Sequence, residues 1–389
     1  MKKLITGFND VFKRELGIIL KDFDLIVILL LAPVLYAVFY GTIYINKSET
    51  KVSVVAVVED NNSLTKKLLE DLNSTQLISI DEVVFDFETA KDRLYKLEAQ
   101  AIIYFPENFQ RDFKSGKGTD IKIYLNNTKF LSSNDINKAF NEVLGTLSAG
   151  VRLRFFQSQG YSFEQAKEMM EPIQTDVRSL FNTTESYGDF FLPGLLALIL
   201  QQTLLIGLAE SVSKEREEKT LHQLFFTSGK NIFSMINGKS FVYLLFFLSY
   251  ALFFYSAIFD LFSINMLGSI FALALQTLIF FLTIIYLSIF VASFFERKIM
   301  SLQFFAFTSV PVFLLSGLPW PIQTMPWFVK QITMLIPTSP YFLAMQRITQ
   351  MGAGLQDVIP ELMHLSFLMI ISFVAAIIRT KILIRKEVL

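Results

Sequence analysis

"KEREEKTLHQLFFTS", Lys214–Ser228, is a compact knot of charge followed by a greasy half-turn pattern, and the residues on either side of it are almost all apolar. A hydrocarbon layer about 30 Å thick needs roughly 20 mostly apolar residues to be crossed as a helix. Working outward from the knot, six stretches meet that length: Leu25–Ile45, Phe190–Val212, Phe241–Phe259, Met266–Phe295, Ile299–Leu318 and Leu362–Ile378. The fourth is long enough to tilt and the sixth is short. With 389 residues, 52% hydrophobic content, 41 Phe and 18% charge, the composition points the same way. The sequence predicts a polytopic α-helical membrane protein with six transmembrane helices.

The first stretch reads as a retained anchor, since polar and amphipathic residues precede it and no small-residue cleavage pattern follows "AVFYGTIYINK". Orientation follows from Lys and Arg beside the spans, which favour the cytoplasmic side. Lys2, Lys3, Lys13, Arg14 and Lys21 precede span one, and Lys214, Arg216, Lys219, Lys230 and Lys239 lie between spans two and three. Arg297 and Lys298 join spans four and five, and Arg379, Lys381, Arg385 and Lys386 close the chain. The connection "DLFSIN" has no basic residue, and Met325–Met363 carries only Lys330 and Arg347. Six spans satisfy all of this with both termini cytoplasmic and the opening stretch beside them.

That topology places residues 46–189 outside the cell as a water-soluble insertion, large enough for its own core. Long domains cross largely regardless of charge, so its Lys and Arg residues do not conflict. "KVSVVAVVED" reads as a strand, "SLTKKLLEDLN" as a helix with Leu64, Leu68 and Leu72 on one face, and "FETAKDRLYKLEAQ" as another helix. "AIIYF" is a strand, "PENFQRDFKSGKG" a short helix opened by Pro106 and closed by glycines, and "DIKIYL" a further strand. An inserted α/β domain is expected. Ile136, Phe140, Leu144, Leu147, Val151 and Phe155 then make one face of a long amphipathic helix, which either packs on the α/β core or stands as an external stalk. "SFEQAKEMMEPIQTDVRSLF" leads back to the membrane.

Several chemistries are excluded. Without cysteine there is no disulfide framework and no thiol chemistry. His222 and His364 lie in different loops, too few for a metal cluster or a catalytic triad. "TSGKNIF" offers Gly229 and Lys230, but a phosphate-binding loop needs glycine five residues before the pair and Ser or Thr after it, where this chain has Leu224 and Asn231. No catalytic residue, cofactor or metal is assigned, and no basic, aromatic-studded face reads as a nucleic-acid platform.

The opening stretch can lie along a membrane surface, with Glu215, Glu218 and Lys219 opposed to Leu221, Leu224 and Phe225. It is either a solvated turn or a lever that docks into a groove on a soluble partner. "ESVSKEREEKTLHQLFFTS" resembles the first cytoplasmic loop of type-2 ABC exporter permeases, with its acidic-Arg-acidic, Thr-Leu, Leu, Thr pattern. "LLSGLPWPIQTMPWFVKQITMLIPTSPYFLAMQRI" resembles the segment after that family's fifth span. "VSVVAVVEDNNSLTKKLLEDL", "AIIYFPENFQRDFKSGK" and "IKIYLNNT" are similar to the subgroup with a large extracytoplasmic domain between the first and second spans.

The resemblance implies a permease subunit that couples to a separate ATPase chain holding ATP and magnesium. It implies a coupling helix over residues 214–228, with Glu215, Arg216, Glu217, Thr220, Leu221 and Leu224 facing the ATPase. Where the family usually has a small residue, this chain has Lys219. Residues 1–24 look like the interfacial connecting helix, with Phe8, Phe12, Leu16, Ile19 and Phe23 on one face and Arg14 and Lys21 on the other. Residues 319–345 would form a re-entrant hairpin, and Gly317, Pro319, Pro321, Met325, Pro326 and Trp327 a gate closing the outer end.

Two permease copies, or this chain and a similar one, would enclose a path between second and fifth spans in the bacterial plasma (inner) membrane. Gln201, Gln202, Gln276 and Gln303 either line that path or bond helix to helix. The exported substrate would be hydrophobic or amphipathic, such as a drug or lipid, and the external domain suits a periplasmic adaptor protein or a lateral exit. Two other classes stand beside this one. A self-sufficient channel or secondary transporter would place ionisable residues inside spans, where few occur. A membrane-anchored sensor or scaffold would need only one or two spans.

Overall fold

The computed structural model describes residues 2–46, 49–115, 119–170, 178–183 and 185–387. Two compact units divide the chain, Ser48–Arg178 and, joined from both ends of the sequence, Met1–Lys47 with Ser179–Leu389. The inserted unit is shorter than the expected 46–189, since the chain from Ser179 onward, including span two from Tyr187, groups with the membrane unit.

The membrane unit has six helices long and apolar enough to cross a bilayer: Phe23–Ile43, Tyr187–Glu217, Ile232–Leu261, Ile270–Ala292, Lys298–Leu315 and Gln356–Lys386, called spans one to six. Caps explain where several differ from the hydropathy limits. Asp22 caps span one through the amides of Asp24 and Leu25, and Ser186 caps span two through Asp189. Asn231 starts span three well before Phe241, and Ser269 starts span four after Met266. Each side-chain oxygen satisfies a first-turn N–H that the helix itself leaves unpaired.

Span two is the most buried of the six and span five the least. The reason lies partly in Gly194 and Gly207 of span two. A Cβ there would meet Leu318 and Leu29 respectively at 2.3 Å, so only glycine lets those side chains seat against the helix. The main core cluster surrounds span two with Phe247, Phe254, Phe280, Phe281, Tyr341 and many Leu and Ile. Single π-helical segments interrupt span one at Val27–Leu31 and span three at Phe254–Ile258.

The amino-terminal helix covers Lys2–Ile19 and stops short of the expected residue 24. Its buried stripe is Gly7, Val11, Glu15 and Ile19, one helical turn apart, while Phe8 and Phe12 are half-buried against Phe241 of span three. Phe23 belongs to span one and is exposed, and Arg14 is engaged with Glu215 instead of facing water.

The inserted unit is α/β. Its sheet has order β2-β1-β3-β4, with β1 Val52–Val58, β2 Ile78–Val84, β3 Ala101–Phe105 and β4 Lys122–Leu125. Neighbours β1/β2 and β1/β3 are parallel, and β3/β4 antiparallel. Helix Ser63–Asn73 and the first half of the long helix Phe130–Ser158 bury Leu68, Leu72, Ile136 and Phe140 against one face. Helix Phe87–Tyr95 covers the other with Ala90 and Leu94. The long helix therefore packs on the α/β core through its first half, while Phe155 in its second half is exposed. Strand β2 is an element that the pattern left out, since Asp81 and Glu82 break its apolar run at a sheet edge. Pro106 lies before helix Phe109–Lys114 instead of inside its first turn. Gly116, Gly118 and residues 171–177, parts of two expected elements, fall outside the described residues.

Candidate functional site

The knot at Lys214–Ser228 is two helices and a break. Span two continues through Glu217, the chain reverses over Glu218 to Thr220, and a short helix covers Leu221–Thr227. The single helix expected over 214–228 is therefore corrected. Lys219 stands at the break with φ +57°, a left-handed conformation that a side chain other than glycine adopts at a cost of about 1–2 kcal/mol. This gives a physical reason for a small residue at that place. The reversal is held by Lys219 N–H to Arg216 O at 3.1 Å and Thr220 N–H to Glu215 O at 2.9 Å. Gly229, also left-handed, ends the short helix, its N–H donating to Phe226 O.

The break turns the six expected ATPase-facing residues in different directions. Leu221 and Leu224 are buried with Phe225, packing on Val11 of the amino-terminal helix, Met235 of span three and Leu383 and Ile384 of span six. Gly7 lets the amino-terminal helix approach, since a Cβ there would sit 2.3 Å from the Ser228 carbonyl oxygen. Glu215 is buried too. Arg14 donates to it twice, at 2.5 and 2.9 Å, and the Thr220 hydroxyl once at 2.5 Å. Arg216 and Thr220 are half-buried, and Glu217 is exposed. The surface that does face solvent consists of Glu217, Glu218, Lys219, His222, Gln223, Phe226 and Lys230. His222 meets Phe226 edge-on, and the Lys230 ammonium lies 4.8 Å from the Phe226 ring centre.

Behind this surface runs a charge network. Lys239 of span three donates to Glu15 at 2.8 Å and stands 3.6 Å from Glu215. Glu15, fully buried, also accepts from Ser211 at 2.5 Å and from Tyr243 at 2.9 Å. Two carboxylates and two cations thus balance where the amino-terminal helix meets spans two and three. Charges in a poorly solvated place persist only when paired and hydrogen-bonded, as these are. Burial alone would depress the Arg14 guanidinium, but its bonds to Glu215 outweigh that and hold it above the usual value. Burial would likewise raise the Asp22 carboxyl, yet the Lys214 ammonium and the amides of Leu25 and Asp24 keep it below the ordinary range.

The carboxylates of Asp22, Asp24 and Glu210 converge within 4.8 Å, a spacing that would suit a metal ion. Lysines already stand among them: Lys298 is 2.9 Å from Asp24 and 3.3 Å from Glu210, and Lys214 pairs with Asp22. The two ammonium groups offset two of the three carboxylate charges and join the ends of spans one, two and five, so the cluster reads as a helix-to-helix tie.

The glutamines divide. Gln201 accepts from Thr338 at 2.5 Å, and Gln276 donates to the Tyr341 carbonyl at 2.6 Å. These bonds fix helix Thr338–Met351 to spans two and four, while the buried Gln276 Oε1 has no hydrogen-bond partner among the described residues. Gln202 is half-buried and Gln303 exposed on span five. Sequence reasoning overlooked Tyr341 and Tyr255. Their hydroxyls bond at 2.5 Å, that of Tyr341 is also 3.1 Å from Thr277, and its ring stacks on Phe280 at 3.8 Å. Tyr255 lies in the π-helical segment of span three, an irregularity that was the available signal only after folding.

Residues 319–345 form short pieces: a 3-10 turn Ile322–Thr324, helix Trp327–Thr333 opened by Pro326, and the start of helix Thr338–Met351. Gly317 takes φ +89°, and a Cβ there would crowd Ile322 at 2.9 Å. Met325 is buried, Pro319 half-buried, and Pro321, Pro326 and Trp327 exposed.

Residues 23–378 match the family described as ABC-2 family transporter protein. The chain belongs to that family. Its six apolar helices and this membership make it a multi-pass membrane protein, the permease of an ABC transporter, and membership implies an ATPase partner. A search of curated proteins returns no match.

Proposed function

We propose that this ABC-2 permease is the membrane subunit of an ATP-driven exporter, coupled to its ATPase through the exposed side of residues 217–230. The observation that carries the reading is the pairing of that surface with the ion network behind it. Glu217, Lys219, His222, Phe226 and Lys230 face solvent, while Glu215, a few residues away, is locked to Arg14 and Lys239. A push on the short helix would be delivered to the amino-terminal helix and spans three and six by direct packing, and to span two through the Thr220–Glu215 bond across the break. The partner's contact would then be made by Glu217 and its exposed neighbours, with Glu215, Leu221 and Leu224 as the rigid backing.

Two copies, or this chain and a similar one, would face each other across spans two and five. Span five presents Phe304, Phe307, Val310 and Leu314 with Gln303 on an uncovered side. The substrate would be hydrophobic or amphipathic and leave the cytoplasm or inner leaflet. Both termini would be cytoplasmic in a bacterial plasma membrane, and Ser48–Arg178 would stand outside as the extracytoplasmic domain, available to an adaptor.

The test is purification of the tagged chain in gentle detergent from native membranes, with its stoichiometric partners identified and ATP hydrolysis assayed. An ATPase near one to one is expected, retained by wild type and lost with a charge reversal of Lys219 and Lys230. A clean preparation without ATPase removes the reading.

A further inference from the structure

Arg216 and Glu217 close span two with opposite charges, and both reach the same neighbouring turn. Arg216 donates to the carbonyls of Ser293 at 3.1 Å and Phe295 at 2.9 Å, just beyond the last turn of span four. Its guanidinium also stands 3.5 Å from Glu296. Glu217 accepts the backbone N–H of Lys298, the first residue of span five, at 2.7 Å. A helix ends in unpaired carbonyls that attract a cation and begins with unpaired amides that attract an anion. Span two supplies both to consecutive helices. Arg297, which occupies the cap position of span five, makes no side-chain capping bond of its own.

Span five is the least buried of the spans, but it packs along span two, and at its far end the Ser339 hydroxyl donates to the Leu315 carbonyl at 3.1 Å and Phe313 meets the Phe191 ring edge-on. Its charged ties gather at the first turn. There the Lys298 ammonium reaches Asp24 and Glu210, and the Ser301 hydroxyl meets the Ala209 carbonyl at 3.4 Å. Glu217 is exposed and belongs to the solvent-facing surface of residues 217–230, so a protein docked there can touch it.

We infer that Glu217 is a positioning residue for span five: its carboxylate caps that helix in place of a residue of the helix's own and makes the span turn with the end of span two. Arg216 holds the preceding carbonyls, sharing that of Ser293 with Arg379 of span six, so the turn between spans four and five is tied to the ends of spans two and six. The inference deepens the proposed coupling by naming the element that receives the motion, and it rests on that reading only for what drives it.

The chain has no cysteine, so a single Ile299→Cys label in the first turn of span five reports on the cap without background. The spin-labelled full chain in lipid nanodiscs should show a several-fold larger mobile fraction with Glu217→Ala and little change with Glu217→Gln, which keeps a neutral acceptor. A second pair avoids any general loss of folding. Lys298→Pro removes the bonded N–H at the one helical position that tolerates proline, after Arg297 in the extended backbone that proline requires (φ −123°, ψ 137°). Lys298→Ala removes the same ammonium and keeps the N–H. Both variants lose the ammonium's ties, so the cap is read from the difference between them: the proline variant should be several-fold more mobile than the alanine variant, and identical spectra in the two would overturn the inference.

The same samples, purified with any partner ATPase, separate the two readings. ATPase lost from Glu217→Ala with an unmoved label makes Glu217 a docking residue only and sinks the cap. A mobile label in preparations that never hold an ATPase, wild type included, leaves the cap standing and removes the docking.

Discussion

Replacing Glu15 by alanine should cost this protein more than any surface change, and the structure gives the size. Glu15 is wholly buried and takes bonds from Ser211 at 2.5 Å, Lys239 at 2.8 Å and Tyr243 at 2.9 Å. Its removal leaves the Lys239 ammonium, itself 5% exposed, with only Glu215 at 3.6 Å, a carboxylate already shared with Arg14 and Thr220. Breaking a buried pair from one side costs about 3–5 kcal/mol, chiefly because a charge stays behind without compensation. The Ser211 and Tyr243 hydroxyls lose an acceptor as well, so about 4 kcal/mol is expected, near a thousandfold in the folded ratio.

If the uncompensated charge is the cause, Lys239→Met should relieve it. The double variant Glu15→Ala/Lys239→Met should then regain about 2 kcal/mol over the sum of the single effects, since removing both partners of a buried pair is far less costly than removing one. Reversible unfolding in mixed micelles, followed by far-UV circular dichroism as SDS is raised, supplies all four corners of the cycle. A coupling energy below about 0.5 kcal/mol, within the scatter of independent sites, would refute the network as a structural unit.

Two further outcomes follow from the same region. Lys219→Gly should stabilise the chain by about 1 kcal/mol in that unfolding assay, by relieving a left-handed side-chain conformation at φ +57°. The ordinary entropy penalty of glycine sets the limit on the gain; a loss of stability would mean that the Lys219 side chain makes a contact of its own. Asp22, held below the ordinary carboxylate range by Lys214 and two amides against the opposing effect of burial, titrates lower folded than unfolded. Its contribution is therefore complete above the unfolded value of 3.8 and is lost as the pH falls through the lower folded value. Asp22→Asn should accordingly flatten the acid limb of the stability profile, and an unchanged limb would remove Asp22 from it.

By itself the sequence determined the six apolar spans, the inserted α/β unit and the place of the charged knot. These are properties of local pattern: about 20 apolar residues in a row, alternation in strands, and charge where a chain must meet water. Edge strand β2 escaped because two acidic residues suit its solvent side and erase the alternation. The directions of the knot's side chains were decided by tertiary structure. Glu215, Arg216 and Glu217 are consecutive and all charged, with nothing in the one-dimensional record to part the two carboxylates, yet Glu215 is sealed against Arg14, Arg216 grips carbonyls beyond span four, and Glu217 caps span five. For Gln201 and Gln276 the sequence likewise left their partners unnamed: Thr338 and Tyr341 come from more than sixty residues away to bond them. Hydropathy reports how much of a residue prefers water; which partner satisfies a buried polar group is set by what the fold brings within about 3 Å, and that is written in no local window.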